Sequence, residues 1–178
     1  MYLGKNDLIN YNFENFYYLL LPLLVFFIFN LFSKVYFGDA GTFLVSFVVA
    51  YYLIDLSNNN LVQPKFISPI FILLLLWYPG FENLFSLLRK ILNKKNPSYP
   101  DNLHFHHLIY LFLKKKNKKI DYINSSSGIL INLYNFLVFF VGVHYYYSAK
   151  YLTIILLLNI FVYLLFYFYL LKFLNKKL

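Results

Sequence analysis

Five apolar stretches separated by polar breaks run along the chain, at residues 16–32, 43–56, 66–88, 129–147 and 151–171. A helix needs about 20 residues to cross a hydrocarbon core of about 30 Å, and four of the runs approach or exceed that length. The second run is short, and residues 38–42 and 57–60 complete its ends within the interfacial layers, where polar groups meet water. The pattern predicts an all-α polytopic membrane helix bundle with about five transmembrane helices. It forms a single membrane domain over residues 1–178, with one sizeable polar loop at 93–127.

Composition strengthens this reading. The chain is 61% hydrophobic and 24% aromatic over 178 residues, more apolar surface than a soluble core of that size can hide. Charge sets the expected orientation. Of sixteen Lys and Arg residues, alternating spans place all but Lys5, Lys65 and Lys150 on one side. Positive charge is retained on the cytoplasmic side, so the N-terminus is expected outside and the C-terminus in the cytoplasm. The first fifteen residues show neither the basic start nor the small-residue cleavage site of a signal peptide. There is no cysteine, which excludes disulfides and thiolate metal sites. The net charge of +9 follows the inner membrane face, so nucleic acid is not an expected partner; the lipid bilayer is.

Two motifs can carry chemistry, and both are expected on the cytoplasmic face. The first is Gly38-Asp39-Ala40-Gly41-Thr42, between the first two runs. Gly38 and Gly41 free the backbone to turn and leave room for a phosphate. Asp39 offers a hard oxygen ligand for Mg²⁺, the usual companion of substrate phosphates. Thr42 can cap the following helix, whose N-terminal amides attract anions. The plain alternative is a loop in which Asp39 and Thr42 only cap.

The second motif is Pro100-Asp101-Asn102-Leu103-His104-Phe105-His106-His107. Pro100 and Asp101 read as a helix start, which would put His104 and His107 on one face and point His106 away. Imidazoles near neutral pH can donate hydrogen bonds to a pyrophosphate or move a proton. Zinc binding is the competing reading, opposed by the absence of cysteine and of a second histidine pair. A plainer alternative is an interfacial helix whose apolar side, Leu103, Phe105, Leu108, Ile109 and Phe112, lies on the bilayer, with the lysines of 114–119 as its anchor.

Between the motifs, Pro79 must kink or break the third run by removing a backbone hydrogen bond. Glu82 follows as an acid in an apolar run, costly unless partnered and therefore a functional candidate. Ser86 and Arg89 lie on the same face, and a structural contact between Glu82 and Arg89 has equal weight. Asp55 and His144, on the opposite membrane side, read as interfacial caps.

Taken together, Val35 to Thr42, the run from Trp77-Tyr78-Pro79-Gly80-Phe81-Glu82 to Arg89-Lys90, and the histidine motif resemble the polyprenyl-phosphate N-acetylhexosamine-1-phosphate transferases. The resemblance covers residues 20–175. It implies transfer of a sugar phosphate from a UDP-N-acetylhexosamine to undecaprenyl phosphate, with release of UMP. The reaction would use Mg²⁺ at the cytoplasmic face of the bacterial inner membrane and initiate cell-envelope polysaccharides such as lipopolysaccharide O-antigen and cell-wall polymers. By this analogy Asp39 matches the metal-ligand aspartate, and His104, His106 and His107 match loop histidines that contact the nucleotide-sugar phosphates. Gly38, Gly41, Glu82 and Arg89 are the expected substrate-binding residues.

Members of that family are about twice as long, and their first half carries an adjacent aspartate pair that this chain lacks. The chain therefore resembles a C-terminal half, which implies a first-half polypeptide as partner. A non-catalytic remnant or partner subunit stays open beside the transferase. A histidine-box oxidase is opposed by the small number of histidines, four in all.

Overall fold

In a computed structural model, residues 18, 20–32, 34–59, 67–97, 99, 103–116 and 123–175 are described, without the side chains of 55–59 and 175. Every regular element among them is a helix. They are α1 (Leu20–Leu31), α2 (Gly38–Asn59), α3 (Pro69–Leu75), α4 (Trp77–Leu92), α5 (Phe105–Lys116), α6 (Ile123–His144) and α7 (Ala149–Asn175). The chain divides into two compact units, Met1–Leu44 and Val45–Leu178, with the boundary falling within α2.

In the first unit, the Asn30 side chain donates to the Val35 carbonyl at 2.9 Å and closes the link after α1. Gly38, the first residue of α2, takes a left-handed φ of 60°, a conformation that costs a residue with a Cβ. A Cβ on Gly41 would lie 2.4 Å from the Phe37 ring, so glycine there lets Phe37 fold against the first turn of α2.

The second unit is organised around a break. α3 starts at Ser68, whose Oγ accepts from Ile70 N–H at 3.3 Å, with Pro69 supplying the preset φ of a first helical residue. The helix then bends at Leu76, where α3 and α4 diverge by 73°. Pro79 explains the place of the break: it has no N–H for the Leu75 carbonyl, and its ring crowds that carbonyl. The restarted helix holds Pro79 in its first turn, where an N–H has no intrahelical partner to lose. Gly80 N–H resumes the ladder at Leu76 C=O, 3.1 Å away.

α6 and α7 are each long and apolar enough to cross a membrane, and the bent α3–α4 pair makes a third span if it counts as one. α1 and the Gly38–Ile54 part of α2 are shorter apolar helices. The protein is thus a helical membrane protein. α6, the helix of the fourth apolar run, begins earlier than the apolar pattern indicates, because the polar Asn124-Ser125-Ser126-Ser127 segment is already helical, with Ser127 Oγ donating to Asn124 C=O at 2.7 Å.

The core joins Phe71, Leu74 and Trp77 to Val138 of α6, to Leu152, Tyr163, Tyr167 and Leu170 of α7, and to Leu108 of α5. α3 approaches α6 closely at Gly142, where a Cβ would meet Leu74 Cδ2 at 2.5 Å. The turn between α6 and α7 is tied to the start of α3 by Ser68 N–H donating to Tyr146 C=O at 2.9 Å. Tyr134 of α6 donates to Asn159 of α7, whose amide N–H₂ is returned to Ile155 C=O. Among the described residues, Trp77 Nε1, Tyr78 Oη and Asn135 Oδ1 are buried without a hydrogen-bond partner.

The position of α5 corrects the interfacial expectation. Leu108 is 1% exposed, and Phe105, Ile109 and Phe112 pack on the core formed with α6 and α7. Phe105, Leu108, Ile109 and Phe112 are therefore covered by protein, while His106, His107, Leu111 and the lysines at 114–116 are exposed. Lys115 reaches the Leu174 carbonyl at 3.3 Å, a cation meeting the orphan carbonyls at the end of α7.

Candidate functional site

Glu82 lies on α4 one turn past Tyr78 and is 6% exposed. A buried carboxylate needs donors, since an unpaired buried charge is far costlier than an unpaired neutral group. Three donors reach it. Tyr163 of α7 donates its hydroxyl to Oε2. At Oε1, His104 Nδ1 lies 3.0 Å away and Phe105 N–H donates at 2.8 Å. Phe105 opens α5, so its N–H is one of the four that no helical carbonyl can satisfy. Glu82 thus caps α5 from a different helix, and its negative charge stands at the positive end of the α5 dipole.

Arg89, seven residues on, serves the same loop. Its guanidinium donates to Tyr167 Oη and lies 5.6 Å and 5.4 Å from the Phe85 and Tyr167 ring centres. Tyr167 in turn donates to the Leu103 carbonyl at 3.1 Å. Tyr163 and Tyr167 stand one turn apart on α7, their rings stacked at 6.0 Å. Two residues of α4 and two tyrosines of α7 therefore hold residues 103–105 by backbone and side chain together. The loop that follows α4 is tied back by Lys90, whose ammonium donates to Pro97 C=O at 2.9 Å and Tyr99 C=O at 2.7 Å.

The histidines emerge from this anchor. His104 precedes α5 rather than lying on it: its carbonyl accepts the first helical bond, from Leu108 N–H at 3.0 Å. The expected pairing of His104 with His107 on one helical face is corrected accordingly. The rings instead form a row, His104 stacked on His106 at 5.6 Å and His106 beside His107 at 4.6 Å. His104 is partly buried, while His106 and His107 are exposed. Desolvation holds the His106 imidazole below the ordinary histidine pKa, with His107 and His104 pushing the same way and Glu82 opposing. Residues 100–102, expected to start this helix, lie outside the described residues.

Asp39 and the two glycines beside it belong to the first unit. Asp39 is exposed in the first turn of α2, where a negative charge is favoured. Thr42 does not cap the helix: its hydroxyl donates back to the Gly38 carbonyl at 2.8 Å. Among the described residues, no three acidic or histidine side chains gather as a metal site. His144 caps its own helix, Nδ1 lying 2.9 Å from Phe140 C=O, and the Asp55 side chain is outside the described residues.

Sequence reasoning missed Tyr163 and Tyr167. Their signal was present: Asn159, Tyr163 and Tyr167 put a polar tip every fourth residue on one stripe of the most apolar helix.

Fold and site together define a helical membrane protein with a histidine row anchored on a buried carboxylate. Part of it is similar to known transferases. Over 76 residues it is 33% identical to the undecaprenyl-phosphate alpha-N-acetylglucosaminyl 1-phosphate transferase of Haemophilus influenzae, covering 43% of this chain and 21% of that protein. The Escherichia coli K12 enzyme of the same name is 33% identical over 76 residues, 43% of this chain and 20% of its own. A probable undecaprenyl-phosphate N-acetylglucosaminyl 1-phosphate transferase of Bacillus subtilis is 29% identical over 80 residues, 45% and 22% of the two chains. The matched segment spans about a fifth of the length of these relatives. No family model and no solved structure matches the chain.

Proposed function

We propose that this chain supplies the histidine-bearing part of a polyprenyl-phosphate N-acetylhexosamine-1-phosphate transferase. In this reading an oxygen of undecaprenyl phosphate attacks the β-phosphorus of a UDP-N-acetylhexosamine. The bond from that phosphorus to the bridging oxygen of UMP breaks, UMP leaves, and a lipid-linked sugar pyrophosphate forms. The reaction initiates cell-envelope polysaccharide synthesis at the cytoplasmic face of the bacterial inner membrane. About five spans place the N-terminus outside and the C-terminus inside.

The observation that carries the proposal is the anchored row His104, His106 and His107 in a chain similar to three named sugar-phosphate transferases. Phosphoryl transfer depends on positioning and on charge placed before the reaction, rather than on covalent chemistry by the protein. The His104 imidazole, held from behind by Glu82, loses little freedom when it meets a phosphate. Asp39 would hold Mg²⁺, which when bound neutralises phosphate charge. Gly38 and Gly41 leave the approach to that carboxylate clear. A first-half polypeptide supplies the remaining carboxylates.

Purified chain is tested for UMP release from UDP-N-acetylglucosamine and UDP-N-acetylgalactosamine with undecaprenyl phosphate and Mg²⁺, alone and co-expressed with an aspartate-rich first-half polypeptide. Activity only in the second case is the expected result. Silence in both favours a non-catalytic remnant.

A further inference from the structure

We infer that Glu82 is a positioning residue that fixes His104 as its Nδ1–H tautomer and presents Nε2 as a lone-pair acceptor to the open side of the row. The argument rests on which atoms can donate. Phe105 N–H has only a proton to offer, and it points at Glu82 Oε1 from 2.8 Å. Oε1 therefore accepts this bond. A carboxylate oxygen only accepts, so against the ionised Glu82 the His104 Nδ1, 3.0 Å from the same oxygen, donates. Tyr163 occupies Oε2, so the carboxylate cannot swing to release His104 without breaking three bonds together. The backbone on either side is held as well, by Tyr167 at Leu103 C=O and by the first helical bond at His104 C=O.

Free imidazole side chains in water favour the other tautomer, Nε2–H. Glu82 therefore reverses the default at the one histidine it hydrogen-bonds. The consequence is a division of labour within the row. Neutral His104 takes a hydrogen bond at Nε2, from a hydroxyl or a protonated phosphate. Protonated, it donates there to a phosphate oxygen while Glu82 balances the new charge through Nδ1. This deepens the transferase reading, on which it rests only for the identity of the group that meets Nε2.

The tautomer is read directly by ¹⁵N NMR of the full chain, labelled with ¹⁵N-histidine, in detergent micelles. His104 is assigned by comparison with His104→Gln, at a pH about two units above the ordinary imidazole value of about 6.5. The expected His104 spectrum has a protonated Nδ1 and a bare Nε2. Folded Glu82→Ala should shift His104 to the Nε2–H form. Tyr163→Phe, which keeps the carboxylate, should leave the tautomer unchanged and serves if Glu82→Ala does not fold. A native His104 in the Nε2–H form overturns the inference, as does an unchanged tautomer in folded Glu82→Ala. These readouts need no turnover, so an inactive assembly would sink the transferase reading and leave this one standing.

Discussion

The carboxylate of Glu82 accepts the backbone N–H of Phe105 at 2.8 Å, across a sequence separation of 23 residues. One bond thus gives a buried charge a partner and a helix its cap. It also ties the packing of α4 to the start of α5 and therefore to the placement of the histidine row.

Removing this carboxylate should cost more than removing its charge alone. Glu82→Ala leaves Tyr163 Oη, His104 Nδ1 and Phe105 N–H without their acceptor, and each unsatisfied buried group costs roughly 1–3 kcal/mol. Glu82→Gln retains an acceptor oxygen and should lose distinctly less. Thermal unfolding of both variants in the same detergent decides, and equal midpoints would show that the bonds contribute little.

Gly142→Ala should destabilise the bundle, because the new Cβ meets Leu74 Cδ2 at 2.5 Å and Leu74 is fully buried. Overpacking of this kind costs roughly 1–3 kcal/mol. Leu74→Ala in the same chain should recover part of the loss. Strict additivity of the two changes would count against a direct contact between α3 and α6.

Acidification should weaken the fold through His106. Its folded-state pKa lies below the ordinary value, so the folded chain binds fewer protons than the unfolded chain between the two values. Its contribution to stability is complete above about pH 6.5 and is lost as pH falls below that value through the folded-state pKa. His106→Gln should flatten this part of the profile. A profile of unchanged slope would assign the effect to other groups.

In an active assembly, Asp39→Asn should abolish Mg²⁺-dependent transfer while leaving the chain folded. A helix-end carboxylate acting only as a cap is worth about 1 kcal/mol, a few-fold to tenfold effect at most. Thr42→Val, which removes only the bond to Gly38 C=O, should change turnover little. Near-normal rates in Asp39→Asn would reduce this residue to a cap.

Orientation is open to labelling, since the chain has no cysteine. Single cysteines at Asp39 and His107 should be protected from an impermeant reagent in intact cells, while cysteines at Asn59 and Ser148 should react. Labelling at 39 or 107 but not at 59 would reverse the topology.

Much of the architecture follows from sequence because its causes are local. Apolar runs of membrane-spanning length point to helices, Pro79 interrupts the third run wherever it is placed, and Gly38 sits where a left-handed φ is needed. The histidine cluster was legible from adjacency alone. What the sequence leaves undetermined are relations between helices. Glu82 is conspicuous as an acid among apolar residues, yet its partner Tyr163 lies 81 residues away on a stripe that looks like lipid-facing helix. Whether α5 rests on lipid or on protein turns on Leu108 finding a space between α6 and α7, which no period of hydrophobicity encodes. The state of His104 is likewise tertiary: a side chain at the very edge of a helix takes its geometry from whichever acceptor the packing of α4 brings to the helix's unsatisfied N–H groups.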